Sequence, residues 1–173
     1  MSRRLDLATF DLRDALDMAV LIEVEAYRRY KMFAAQLGHR VAGDPASVFA
    51  SMAENEAKHG KQLEARRKTL FGDTPRRVSL NDLFDVEAPD TGSARATMSV
   101  LQAFEVALAS EQKAYDFYDE ALKHVSNPEV HTLFIELRDE ETEHVRMIRD
   151  AMAKLPPGAD VELEIDRDEL PGL

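Results

Sequence analysis

Hydrophobic positions recur along this chain in steps of three and four through four long segments, at about 12–38, 45–70, 94–125 and 128–155. The first carries Leu12, Leu16, Ala19, Ala26, Tyr30, Phe33 and Leu37. The second carries Phe49, Met52, Leu63 and Leu70. The third carries Leu101, Phe104, Leu108, Tyr115, Tyr118, Leu122 and Val125. The fourth carries Val130, Phe134, Leu137, Ile148, Ala151 and Leu155. That step puts the apolar side chains on one face of an α-helix. Ala, Leu, Glu, Lys and Arg, the residues that lose least on entering a helix, fill the rest of each segment. Gly and Pro gather in the breaks at 38–45, 72–92, 127–128 and 156–158. Asp44-Pro45 and Asn127-Pro128 each set a capping side chain before a proline in the first helical position. Period-two alternation is confined to a short stretch at 161–165. The pattern predicts an all-α chain of four helices, each roughly 25–30 residues and about 40 Å long.

Loop lengths order the helices. The first and third breaks are short, and short loops join antiparallel neighbours. The link at 72–92 is long enough to run the length of a bundle. The expected fold is an antiparallel four-helix bundle made of two helical hairpins joined by a long crossover, with the bundle over 1–155 and an acidic C-terminal tail over 156–173. The hairpins repeat one another. Glu23-x3-Tyr27-x2-Tyr30 recurs as Glu111-x3-Tyr115-x2-Tyr118, and Phe49-x6-Glu56-x2-His59 recurs as Phe134-x6-Glu141-x2-His144. The two offsets differ by three residues, which fall in the loop within each hairpin, so the chain reads as a duplicated hairpin.

Composition removes classes of function. With 173 residues, 45% hydrophobic and 32% charged, the chain can bury a core and is not disordered. It has no Cys, which excludes disulfides, thiolate zinc sites, iron–sulfur clusters and thiol nucleophiles. A net charge of −11 argues against a protein that tracks nucleic-acid phosphates. Charges scattered from Arg3 to Asp17 leave no apolar signal-peptide core, and the longest apolar runs are too short to span a membrane. The expectation is a soluble cytoplasmic protein.

The chemistry lies in the polar members of the repeat, because they stand on the apolar stripes. Glu23 falls between Ala19 and Ala26, Glu111 between Leu108 and Tyr115, Glu56 and His59 between Met52 and Leu63, and Glu141 and His144 between Leu137 and Ile148. The spacing Glu-x-x-His sets both side chains on one helix face, one turn apart. Four carboxylates buried without partners would cost several kcal/mol each, or take up protons. The facing stripes hold no matching set of cations, so metal ions are the natural counter-charge. One Glu from each of two helices and Glu-x-x-His from each of the other two make a dinuclear site in which two divalent ions balance four carboxylates. Oxygen and imidazole donors without thiolate suit iron or manganese, with zinc as a further occupant.

On these residues, with Tyr30 and Tyr118 seven positions after the glutamates of the first and third helices, residues 12–155 resemble the rubrerythrin branch of the ferritin-like di-iron family, without its rubredoxin domain. The resemblance implies two iron ions on Glu23, Glu56, His59, Glu111, Glu141 and His144. It implies reaction with peroxide or dioxygen as the small-molecule substrate, and a cytoplasmic homodimer or larger homo-oligomer. Tyr30 and Tyr118 would stand just outside the ligands. Two departures are plain. Rubrerythrins carry a further carboxylate three residues after the first one of the third helix, and here that position is Ala114. Their four-cysteine iron site is impossible here, so a separate electron donor is required. The remaining set is closer to the four-Glu, two-His site of ferroxidase-type bundles.

Asn55 and Glu140 precede the Glu-x-x-His glutamates and are candidates to orient the histidine of the opposing hairpin. His39, His124 and His131, and Glu25, Glu54, Glu105, Glu136 and Glu143, fall off the stripes and read as surface residues. The methionines read as core filling. The ligand set leaves open an oxidoreductase reducing peroxide or oxidising Fe(II), an iron storage or delivery protein, a di-manganese catalase-like enzyme, and a bundle that binds no metal.

Overall fold

The computed structural model describes residues 6–37, 45–79 and 98–161. Four helices and no strand occur among them: α1 (Leu12–Leu37), α2 (Pro45–Phe71), α3 (Val100–Ala121) and α4 (Pro128–Met152), preceded by a 3-10 turn at Leu7–Thr9. Each described start has a local chemical cause. Asp11 and Asp14 exchange side chain for backbone, the Asp14 N–H donating to Asp11 Oδ1 at 3.0 Å and the Asp11 N–H to Asp14 Oδ2 at 3.3 Å. Ser99 and Gln102 close a capping box at α3. The Asn127 side chain accepts from Glu129 and Val130 with Pro128 in the first turn of α4. Asp44, the corresponding cap expected for α2, and His39 lie outside the described residues. At the end of α2, Gly72 takes φ +61°, the left-handed turn that closes a helix at little cost only for glycine.

The core falls into two clusters, and their membership gives the topology. One joins the first half of α1 (Leu16, Met18, Ala19), Leu63 late in α2, Tyr118 late in α3 and Phe134 early in α4. The other joins Tyr30 and Phe33 late in α1, Phe49 early in α2, Phe104 early in α3 and Ile148 late in α4. The rings of Phe49 and Phe104 stack with centroids 4.7 Å apart. Helices α1 and α4 therefore run one way and α2 and α3 the other. The end of α2 and the start of α3 lie at opposite ends of the bundle, so the link between them spans its length, as a ferritin-like pair of hairpins requires. The middle of that link lies outside the described residues.

The structure departs from the sequence reading at two places. Helix α3 begins at Val100 and ends at Ala121, shorter than 94–125, because Ser99 caps it and a turn follows Ala121. Leu70, expected on the core stripe, is 52% exposed. Past Leu63, α2 instead turns Arg67, buried, and then Phe71, partly buried against the core, inward. Residues 156–161 fold back against the start of α3. Gly158 turns the chain with φ +87°, Ala159 is buried, and its carbonyl accepts from the Leu101 N–H at 2.9 Å, satisfying a first-turn donor of α3. Val161 is 69% exposed, and Leu163 and Ile165 lie outside the described residues.

A buried ion pair, which the pattern gave no reason to expect, fastens one end of the bundle. Asp17 and Arg67 pair with side chains 0% and 5% exposed. Arg67 also donates to the Thr74 carbonyl at 2.8 Å, and Asp17 accepts from the Arg77 N–H at 2.8 Å. Arg77 reaches Asp11 at 2.7 Å. These bonds seat the start of the crossover on the first turns of α1 and leave Val78 buried beside the core.

Candidate metal centre

Between the two core clusters the four helices turn their polar stripe residues inward. Glu23 on α1, Glu56 on α2, Glu111 on α3 and Glu141 and His144 on α4 are all buried. His59 on α2 is nearer solvent, with 20% of its side chain exposed. The His144 Nδ1–H donates to Glu111 Oε2 at 3.1 Å; Glu56 Oε1 lies 3.3 Å from the same nitrogen and Glu141 Oε2 3.7 Å. The two imidazoles stack with centroids 5.7 Å apart.

Ligand atoms of Glu111, Glu141 and His144 lie within 4.8 Å of one another, as do those of Glu56, His59 and His144. Glu56 thus stands within reach of both histidines. All six sequence-assigned residues come together in these groups or in a third one, Glu23 with His59 and Glu140. Several donor atoms of the set lack partners. Glu23 Oε2, Glu56 Oε1, Glu111 Oε1, Glu141 Oε2 and His59 Nδ1 are buried atoms with no hydrogen-bond partner among the described residues. Buried polar atoms are nearly always paired, and five converging in one place point to a missing positive partner. Carboxylate and imidazole donors of this number fit two divalent ions.

The electrostatics agree. Burial, reinforced by the neighbouring Glu56 carboxylate, holds the Glu23 carboxyl well above the usual range. Burial and then Glu111 do the same for Glu141, against the pull of His144. Burial opposes charge on His144, but Glu111, Glu141 and Glu56 overcome it and push its pKa up to about 11. Without metal, the site keeps protons where cations would otherwise sit.

The flanking residues divide. Tyr30 and Tyr118 are fully buried, one in each core cluster, so they stand on opposite sides of the site. The Tyr30 hydroxyl finds no partner among the described residues. Ala114 is buried, and α3 contributes no second carboxylate there. Glu140 lies beside His59, whereas Asn55 is half-buried and makes no hydrogen bond to His144 among the described residues. His124 and His131 are exposed, and Glu54, Glu105, Glu136 and Glu143 lie on the surface, with Glu25 half-exposed. Gly60, which the sequence reading passed over, lies against the site: a Cβ there would stand 3.3 Å from the Glu23 Cβ. A glycine one residue after the histidine, in the interior of a helix otherwise rich in good helix formers, was the available signal.

A family model for rubrerythrin matches residues 14–152, and again 102–168. The fold is similar to the crystal structure of an uncharacterized conserved protein from Magnetospirillum magnetotacticum MS-1, with 28% sequence identity and a TM-score of 0.68 over 85% of this chain and 97% of that one. Comparison with curated proteins finds no match.

Proposed function

The chain belongs to the rubrerythrin family, within the ferritin-like di-iron superfamily, and from that premise we propose that it is a non-haem di-iron oxidoreductase. It would reduce peroxide, or oxidise Fe(II) with dioxygen or peroxide. The observation that carries this reading is the convergence of five unpartnered buried ligand atoms on four helices. Glu111, Glu141 and Nδ1 of His144 would hold one ion, Glu23 and Nδ1 of His59 the other, and Glu56 lies between them. Bound iron would supply the electrons that reduce the oxidant.

The chain's own contribution is charge, orientation and dryness. Four carboxylates neutralise two divalent ions, and the low dielectric around them strengthens each contact. Rigid helices hold the donors, with α1 and α3 each giving one and α2 and α4 each giving a Glu-x-x-His pair. The proton on His144 Nδ1 leaves when a cation takes its place. The aromatic clusters of Tyr30, Phe33, Phe49 and Phe104 on one side, and Tyr118 and Phe134 on the other, keep water from the ends of the site. With no cysteine in the chain, electrons would come from a separate donor. The protein would act in the cytoplasm as a homodimer or larger homo-oligomer; no described helix is long and apolar enough to cross a membrane.

Anaerobic titration with Fe(II), followed by peroxide and separately by dioxygen, tests the proposal. The expected result is two irons per chain and a new near-ultraviolet absorbance on adding oxidant. No iron uptake, or no change with either oxidant, overturns it. Mineral growth beyond two irons per chain would instead favour storage, and activity only after manganese loading a catalase-like role.

A further inference from the structure

The two halves of the site are not equivalent, and the difference lies at Glu140. His144 is sealed, with 5% of its side chain exposed, whereas His59 is 20% exposed. It borders a cleft of about 140 Å³ between α2 and α4, lined by Gln62, Leu63, Arg66, Leu137 and Glu140 among others. The mouth of that cleft is flanked by an ion pair between Arg66 and Glu136 at 3.1 Å. Glu140 Oε2 lies 3.7 Å from His59 Nδ1, beyond hydrogen-bond distance. The identity of that nitrogen matters. In the sealed half, Nδ1 is the atom of His144 that faces Glu56, Glu111 and Glu141. By the repeat, Nδ1 of His59 is its ligating atom. Glu140 therefore faces the ligating side of the ring, where it would share a cation with it, and not the far nitrogen, where it would orient it.

Glu140 has company there. One ligand atom each of Glu23, His59 and Glu140 lie within 4.8 Å of one another. Glu23 is 3% exposed, and its Oε2 and the His59 Nδ1 have no hydrogen-bond partner among the described residues. The counterpart of Glu140 in the first hairpin is Asn55, so the sealed half has no equivalent carboxylate. Resting on the dinuclear reading above, we propose that Glu140 is a seventh ligand of the site: with Glu23 and His59 it closes around the divalent cation that faces the cleft between α2 and α4. The half of the site nearest solvent then draws its second carboxylate from α4, at a position that is Asn55 in the first hairpin, and not from α3, where Ala114 stands.

Titration with Co(II), followed by its visible absorption and by competition with a chelator, tests this. The unmodified protein is expected to bind two cobalt ions per chain. Glu140→Gln keeps the shape of the side chain and is expected to weaken one ion by roughly tenfold or more while sparing the other, with a changed visible spectrum for half of the bound metal. Glu143→Gln, an exposed carboxylate paired with Arg146 on the same helix, is expected to change nothing. In a His59→Ala background, Glu140→Gln is expected to weaken the cleft-side ion further. Two ions held by Glu140→Gln with unchanged affinity and spectrum would overturn the proposal, as would the lack of any further effect in the His59→Ala background, which would make Glu140 a positioning residue. No cobalt uptake by the unmodified protein would sink the dinuclear reading, and this proposal with it.

Discussion

His144 shows most directly what burial does to a candidate ligand. Its Nδ1 carries a proton held by Glu111 in the metal-free chain and must lose it to take a cation. Glu23, Glu141 and His144 all have folded-state pKa values raised above their ordinary ones. The folded chain therefore binds these protons more tightly than the unfolded chain, and stability falls as pH rises. For His144 the contribution is complete below its ordinary 6.5 and is lost as pH rises through about 11. Calorimetry should show the metal-free melting temperature falling between pH 6 and 9, with a shallower slope in His144→Gln. The gain on adding Mn(II) should grow over the same range, because only deprotonated ligands bind. Parallel slopes with and without metal would contradict this linkage. A second residue-scale test concerns the buried pair at the foot of the bundle. Arg67→Met removes the buried cation facing Asp17, and should cost about 3–5 kcal/mol in urea unfolding. Adding Asp17→Leu should recover most of that loss; additive losses would show that the pair is not the coupled unit the geometry implies.

At the scale of elements, Gly60 sets how closely α2 approaches α1. Glycine inside a helix costs about 1 kcal/mol relative to alanine, yet here a Cβ would stand 3.3 Å from that of Glu23. Gly60→Ala should leave metal-free stability within about 1 kcal/mol of the parent, propensity offsetting the displacement. It should weaken the ion nearest Glu23 by roughly tenfold, as read by chelator competition. An unchanged affinity would mean that the helices have room to spare. The six candidate ligands that the structure brings together were legible in the sequence because duplication placed them twice in register on apolar stripes, where a plain bundle would carry leucine. The helices were legible from the same periodicity, and the cap at Asn127 from its proline. What escaped depends on how each helix is rotated against its neighbours. Arg67 and Leu70 are both compatible with an amphipathic α2, and only the packing decides that Arg67 turns inward to Asp17. Which nitrogen of His59 Glu140 faces escaped likewise, since spacing alone does not say how the ring is turned.

For the molecule as a whole, the proposed site implies that stability is given up at the centre of the bundle for binding. A bundle with leucine at Glu56 and Glu141 would keep the same two aromatic clusters and replace buried carboxyls with apolar contacts. Exchanging buried charged groups for well-packed apolar ones often stabilises by about 1–4 kcal/mol. Glu56→Leu with Glu141→Leu should therefore melt higher than the metal-free parent, by roughly 2–4 °C per kcal/mol for a chain of this size. Metal reverses the order. Ligand at a thousand times its dissociation constant adds about 4 kcal/mol to the parent and nothing to the double variant, which has lost the carboxylate between the two histidines and one of those facing His144. The expected result is a crossing: the variant melts higher than the parent without metal, and its melting temperature no longer responds when Fe(II) or Mn(II) is added. A double variant less stable than the metal-free parent would mean that the four carboxylates are tolerated by the fold without metal, and that burial there carries no strain for an ion to relieve.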